Sequence, residues 1–258
     1  MKPSLHLIIY FVLSIFITGC TSKQKKNHQS NQKRFNTVTK SPILLNPPKL
    51  NNVSFDRSLQ PKEFKLKYLF KKDKRRAHKR IKSLVNACDY RNSIVKNKSN
   101  SIAGKSEGYY NIGQVCDIYE YYTSNWKYVN DPKNHEYYAS ASTSILNGLH
   151  GDCDDFAIVV CSSILSIGGI ARINFALNNT SGHAFTEVKI PRNKVSSVKE
   201  YIKLRYNINK KIEGKYDKNG DFWLNMDWGT PYPGKKYFSY NEGFTFYIVQ
   251  RHWKKLKK

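Results

Sequence analysis

The stretch Gly151-Asp152-Cys153-Asp154-Asp155-Phe156-Ala157 decides how this chain of 258 residues folds. After Cys153 the apolar positions Phe156, Ala157, Val160, Cys161, Ile164 and Leu165 trace one face of a helix, which Gly168-Gly169 stops. Cys153 therefore opens that helix. At a helix N-terminus the unpaired backbone N–H groups and the macrodipole favour negative charge, which lowers a thiol from its free pKa of about 8.5 toward neutrality. The spacing thus predicts a nucleophilic cysteine. Asp154 and Asp155, in the same first turn, are read as carboxylates that complement the dipole rather than as metal ligands. No metal and no cofactor is expected.

A nucleophile needs a base, and the base needs an orienting group. Downstream, Ala171-Arg172-Ile173-Asn174-Phe175-Ala176-Leu177 reads as a strand, followed by the turn-like Asn178-Asn179-Thr180-Ser181-Gly182. His183 opens the next strand, His183-Ala184-Phe185-Thr186-Glu187-Val188, and Phe222-Trp223-Leu224-Asn225-Met226-Asp227-Trp228 forms another with a carboxylate near its end. Neighbouring strands can hold the histidine and the carboxylate side by side. Upstream, Ile112, Val115, Cys116, Tyr119, Tyr122 and Trp126 form a helical stripe that ends at Asp131-Pro132.

These elements resemble the transglutaminase-like superfamily, whose core is papain-like. The family pattern is a GDC motif opening a helix, a glycine and strand, a histidine leading an aromatic strand, and tryptophan and aspartate on the next strand. Here the matching residues are Gly151-Asp152-Cys153, Gly168-Gly169-Ile170-Ala171-Arg172, His183-Ala184-Phe185-Thr186-Glu187-Val188 and Trp223-Leu224-Asn225-Met226-Asp227, with Trp126-Lys127-Tyr128-Val129-Asn130-Asp131-Pro132 as lead-in. The resemblance spans residues 112–230. It implies an α+β fold in which N-terminal helices, including the nucleophile-bearing helix, pack on an antiparallel β-sheet. It also implies Cys153 as nucleophile, His183 as general base and acid, and Asp227 as the group orienting the imidazole.

The chain departs from that pattern in one region and leaves two questions open. Residues 191–220 are long for a minimal core, so a helical insertion is expected around Val198 to Tyr206, and Asp217, Asp221 and Asn225 stand as lesser candidates for the third position. The backbone N–H of Cys153 can stabilise an oxyanion, with Gln114, Trp126 or neither as the side-chain donor. Cys153 and Cys161 cannot form a disulfide, because eight helical residues separate their Cα atoms by about 12 Å where about 7 Å is the limit. Cys88 and Cys116 can either pair or remain plain core residues. The segments Tyr237-Phe238-Ser239-Tyr240 and Phe244-Thr245-Phe246-Tyr247-Ile248-Val249 read as closing strands.

The N-terminus carries a different signal. Lys2 precedes an apolar run, Leu5 to Ile17, which leads into Ile17-Thr18-Gly19-Cys20. This resembles a bacterial lipoprotein signal: residues 1–19 would be removed and Cys20 would carry the lipid. The apolar run is shorter than the roughly 20 residues of a membrane-spanning helix. Residues 20–60, rich in Lys, Asn, Gln, Ser and Pro, read as a flexible basic linker, and 61–258 as the catalytic domain.

The formal net charge is +25, and 40% of the residues are hydrophobic, which excludes a disordered polycation. Residues 61–82 hold eleven Lys and Arg against Glu63 and Asp73, yet they run into the stripe Ile81, Leu84, Val85 and Cys88, so the charge is read as the solvated face of a helix. Nucleic acid is not an expected partner. Between Gly151 and Glu187 the balance reverses, with Arg172 alone against Asp152, Asp154, Asp155 and Glu187. The positive charge surrounds the motif-bearing stretch and suits an anionic surface or wall polymer.

The sequence therefore predicts a cell-envelope lipoprotein, facing the periplasm or the exterior, that works as a cysteine peptidase or amidase on peptide or protein amides. Transfer of the acyl group to a lysine amine, as a protein-glutamine transamidase, is the alternative within the same chemistry. A non-catalytic peptide-binding or wall-binding lipoprotein is the alternative of another class.

Overall fold

The computed structural model describes residues 74–131 and 137–256, with side chains from Ile81 onward. The signal expected at 1–19, the lipidation expected at Cys20, the linker expected at 20–60 and the basic stretch that follows it lie outside the described residues.

Two helices lead in, α1 (Lys74–Ala87) and α2 (Ser93–Ala103), followed by α3 (Ile112–Asn125). A two-residue strand β1 (Lys127–Tyr128), the short helix α4 (Ala141–Leu146) and β2 (His150–Gly151) then deliver the chain to α5 (Cys153–Ser166). The remainder is largely sheet: β3 (Ala171–Leu177), β4 (Gly182–Ile190), α6 (Val195–Arg205), β5 (Gly214–Tyr216), β6 (Phe222–Asn225), β7 (Glu242–Tyr247) and β8 (His252–Lys255). The six strands β3 to β8 form one sheet in the order β5-β6-β4-β3-β7-β8, and every neighbouring pair is antiparallel. This is the α+β architecture expected from the motifs.

Helix α5, which Cys153 opens, lies between the sheet and the other helices. It packs on β3 and β4, while α2, α3 and α4 pack against it from the other side. Every residue from Asp154 to Leu165 is buried, not only the apolar stripe read from the sequence. A helix enclosed on all sides has no solvent face on which to place polar residues. Ser162 and Ser163 are accordingly buried, and the Ser163 hydroxyl meets that of Tyr122 at 2.9 Å. The Thr186 hydroxyl donates to the Ala157 carbonyl at 2.7 Å and fixes β4 against the helix.

The sheet is covered on its other face as well. Arg172, on β3, lies beside Glu187, on β4, and their side chains pair at 2.6 Å with the guanidinium stacked 3.7 Å from the centre of the Trp223 ring. Tyr237 donates to the other Glu187 oxygen at 2.6 Å. Tyr237, Phe238 and Tyr240 pack with Phe185, Ala176 and Leu256 as a separate apolar cluster. The expected strand at Tyr237 to Tyr240 is therefore a covering loop, whose aromatic residues serve packing and a hydrogen bond instead of a ladder.

The insertion at 191–220 does carry a helix, α6, but it contributes β5 too, which adds an edge to the sheet beside β6. Arg205, in the last turn of α6, ties the insertion to α3 through Asp117 at 2.6 Å and Glu120 at 2.8 Å. Among the described residues no helix is long and apolar enough to cross a membrane.

Candidate active site

Cys153 is the first residue of α5, and the loop that places it is built around two backbone features. Parallel pairing of β1 with β2 sets Lys127 opposite His150 and Tyr128 opposite Gly151, which fixes the entry to the helix. Gly151 has φ +151°, and a Cβ added there would fall 2.2 Å from an Asp155 carboxylate oxygen. Only glycine fits where the Asp155 side chain folds back under the chain. Asp152 caps the helix, accepting the Asp154 N–H at 3.1 Å.

His183 and Asp227 meet directly. The imidazole Nε2 lies 2.6 Å from Asp227 Oδ1, with side chains 16% and 11% exposed. Asp227 does not lie within a strand; it sits two residues past the end of β6, on a segment held in place by its neighbours. Its backbone N–H donates to Asn225 Oδ1 at 3.2 Å, and the buried Tyr119 hydroxyl is shared between the Asp227 and Thr230 carbonyls at 2.8 and 2.9 Å. Of the three lesser candidates, Asp217 accepts from the Trp223 indole at 3.1 Å and Asp221 pairs with Lys189 at 2.7 Å. Asn225 binds the Lys235 carbonyl at 2.9 Å besides capping Asp227. The imidazole contact belongs to Asp227.

Cys153 comes to the same place through the residue beside His183. The Ala184 backbone N–H bears on its sulfur, as does the Asp227 charge. Phe185 and Phe238 flank the imidazole, with ring centres 6.2 and 5.3 Å away.

The electrostatics correct the sequence reading of the thiol. Burial, together with the charges of Asp152 and Asp154, holds the Cys153 pKa well above its ordinary value, and the Ala184 hydrogen bond only partly offsets them. The helix terminus alone would have lowered it. Desolvation of a charged sulfur between two carboxylates outweighs that effect. For His183, burial works toward a lower pKa, but the charge and hydrogen bond of Asp227, helped by Asp152, exceed it and leave the imidazole raised.

The sequence reads Asp154 and Asp155 as carboxylates that complement the helix dipole. Both are buried. Burial and the charge of Asp152 raise the Asp154 pKa well above the carboxylate range; burial first, partly offset by the Ala139 N–H, raises Asp155 to about 7. Near neutral pH they thus offer the dipole less charge than two free aspartates would. With Asp152 they bring carboxylate oxygens within 4.8 Å of one another, and among the described residues this is the one grouping of potential metal ligands.

Neither proposed oxyanion side chain is available. Gln114 donates to the Ser106 and Gly108 carbonyls at 3.1 and 2.9 Å, and the Trp126 indole donates to the Gly151 carbonyl at 3.2 Å. Tyr119 and Tyr128 are site neighbours to which the sequence reading gave no role at the site. A buried tyrosine or asparagine in an apolar stripe is itself a signal, since each polar group must find a partner.

Among the described residues, Cys88, Cys116 and Cys161 are also free thiols. Cys88 neighbours Cys161 on α5, whereas Cys116 lies close to Arg205 and Tyr206 of the insertion.

The model of the transglutaminase-like superfamily matches residues 96–227, just over half of the chain. No curated protein matches. Among solved structures, a Cytophaga hutchinsonii protein described as a candidate cysteine protease is 22% identical with a TM-score of 0.31; the match covers 36% of this chain and 32% of that one. Legionella pneumophila LapG is 13% identical with a TM-score of 0.35, covering 59% and 75% of the two chains. Its calcium-bound form is 16% identical with a TM-score of 0.31, covering 54% and 76%. This chain thus spans about a third of the first of these structures.

Proposed function

Because the chain belongs to the transglutaminase-like superfamily, we propose that it is a membrane-anchored cysteine peptidase or amidase acting on peptide or protein amides, with Cys153 as nucleophile, His183 as general base and acid, and Asp227 orienting the imidazole. The observation that carries this reading is the 2.6 Å contact between His183 Nε2 and Asp227 Oδ1, and it is supported by the Asp227 charge and the Ala184 N–H, which both bear on the Cys153 thiol. With Nε2 engaged, Nδ1 is the ring nitrogen left to exchange a proton with the thiol.

The thiol proton passes to His183 as the sulfur attacks the amide carbonyl, and the carbonyl electron pair moves onto oxygen. Collapse of this tetrahedral intermediate breaks the C–N bond, with His183 returning the proton to the leaving amine. The resulting thioester is attacked by water that His183 deprotonates, releasing the acid and restoring the thiol. A raised thiol pKa fits a site in which thiolate forms as substrate binds, and a neutral His183 is the form that accepts the proton.

Anchoring through Cys20 is part of this proposal and rests on the Ile17-Thr18-Gly19-Cys20 sequence. It places the domain in the cell envelope, where the basic linker would keep it near anionic surfaces or wall polymers. Labelled palmitate entering the wild-type chain but not Cys20→Ala is the expected result.

The activity is tested by offering a glutamine-containing peptide together with a labelled primary amine. Amide hydrolysis that disappears in Cys153→Ala and His183→Ala, with an acyl adduct trapped on Cys153, is expected. Label incorporated faster than hydrolysis makes the protein a transamidase. Peptide binding without any acyl adduct leaves a binding lipoprotein.

A further inference from the structure

Asp227 lies beyond the ladder of β6, so the direction of its carboxylate depends on what holds residues 226–234. Helix α3 holds them from one side. The Tyr119 hydroxyl lies 2.8 and 2.9 Å from the Asp227 and Thr230 carbonyls and meets the Thr230 hydroxyl, which donates to the Tyr232 carbonyl at 2.9 Å. The insertion at 191–220 holds them from the other. The Glu213 N–H donates to the Gly234 carbonyl, and the Gly234 N–H to the Asn225 carbonyl, both at 2.6 Å. The Tyr206 ring packs on the Tyr232 ring with centres 6.0 Å apart. Gly234 has φ +85°, and a Cβ there would fall 2.4 Å from an Ile212 methyl group, so insertion and segment meet where only glycine fits.

One residue closes the frame by joining the insertion to α3. Arg205 ends α6, directly before Tyr206, and its whole guanidinium is engaged. Nε and Nη2 donate to the two Glu120 oxygens at 2.8 and 2.9 Å, and Nη2 also donates to Asp117 Oδ1 at 2.6 Å. Nη1 donates to the Gly113 carbonyl at 3.3 Å and the Tyr201 hydroxyl at 3.1 Å. Glu120 is the residue next to Tyr119. An isolated surface pair contributes little. A planar fork bound two-fold to one carboxylate and pinned by further acceptors fixes an angle as well as a distance, which a lysine cannot do.

We infer that Arg205 is a positioning residue for the contact between Asp227 and His183: by locking the insertion to α3, it sets the segment from which Asp227 reaches the imidazole. Arg205 itself touches no reacting atom. A displacement of about 1 Å that begins far from the chemistry can cost about 10²-fold in rate, and Asp227 Oδ1 is held 2.6 Å from Nε2. The region in which this chain is longer than a minimal core thus serves the site as its outer support. The inference rests on the reading in which Asp227 orients His183.

The test follows the His183 titration by NMR of the imidazole in the full chain, its signal identified by loss in His183→Gln. No substrate is needed. Asp227 and Asp152 are the charges that raise this pKa against burial. Asp227→Asn sets the full displacement, about 1–3 pH units for a charge in contact. Arg205→Lys keeps the cation but loses the fork, and Arg205→Met removes both. Each should lower the His183 midpoint by at least about 0.5, and kcat for peptide hydrolysis should fall about 10–10²-fold at unchanged KM. Loss of a cation by itself would raise the midpoint, so a fall reports a displaced carboxylate. Tyr119→Phe should move it the same way. Tyr122→Phe, which deletes the hydrogen bond to Ser163 one turn along α3, should lower Tm and leave the midpoint in place. If Arg205→Met does not fold, Arg205→Lys carries the test. A midpoint within about 0.2 of wild type in a folded Arg205 variant overturns the inference, as does an equal fall in Tyr122→Phe. A midpoint unmoved in Asp227→Asn would instead remove the orienting role of Asp227, a result distinct from either outcome at Arg205.

Discussion

Asp227 reaches His183 from outside the sheet: its Oδ1 lies 2.6 Å from the imidazole Nε2 although the residue is two positions beyond the last paired residue of β6. The contact depends on a short segment anchored by Asn225 and Tyr119. Asp227→Asn keeps the shape but removes the charge. It is expected to lower kcat by about 10²–10⁴-fold, the span of a general acid–base contribution. Because the Asp227 charge and hydrogen bond raise the His183 pKa against its burial, the acidic limb of the pH–rate profile should also move to lower pH. A profile that keeps its position would show that Asp227 does not govern the imidazole.

The wild-type profile has a defined sign. His183 must be neutral to take the thiol proton, and its pKa is raised from 6.5. Peptide hydrolysis should therefore rise with pH through a limb above 6.5. Maximal kcat/KM on the acid side of that value contradicts the assignment of His183 as base.

Asp152 raises the thiol pKa by its charge while capping α5 by its oxygen. Asparagine retains the cap, since both residues accept from the helix N–H groups. Asp152→Asn should therefore make Cys153 more reactive toward iodoacetamide at pH 8 without unfolding the helix. Unchanged or slower alkylation, followed by mass spectrometry of the Cys153 peptide, counts against the electrostatic account.

Asp155 has a folded pKa of about 7 against an ordinary carboxylate value of 3.8. Between these values the native state holds the proton more tightly than the unfolded chain, so this group's contribution to stability declines as pH rises. The Tm of Asp155→Asn relative to wild type should increase steadily from pH 4 to pH 8. A flat difference would mean that the buried carboxyl titrates normally.

The Arg172–Glu187 pair, 9% and 0% exposed, is enclosed by Trp223, Tyr237 and Tyr247. Arg172→Met leaves a buried carboxylate unpaired and should cost about 3–5 kcal/mol, lowering Tm by roughly 2–4 °C per kcal/mol in a domain of this size. The double change Arg172→Met with Glu187→Met should recover much of the loss, because no charge is then stranded. Thermal melts of the three variants read the coupling directly.

Much of the fold could be read before the coordinates. β3 begins and ends where the alternating run predicts, α3 and α5 occupy their expected stripes, and the long insertion contains its helix. These are local signals: apolar period, glycine stops and a capping aspartate act within a few residues. The covering loop at Tyr237 to Tyr240 was misread because alternating aromatics look the same whether they line a strand or pack onto a finished sheet. Whether Cys88 and Cys116 pair stayed open in the sequence for a related reason: a stripe says which face is buried, not which helix will meet it, and both are plain buried thiols.

The sequence by itself named Cys153, His183 and Asp227 as candidates in that order, and it located the helix and the strand that carry the first two, because those segments take their conformation from their own neighbours. Only the tertiary structure decided that Asp227 and not Asp217, Asp221 or Asn225 meets the imidazole, that Gln114 and Trp126 are already committed, and that Tyr128 stands beside Gly151. It also reversed the expected direction of the thiol pKa. Hydrogen bonds and desolvation depend on distances and burial among residues far apart in the chain, and spacing along the chain does not contain those quantities.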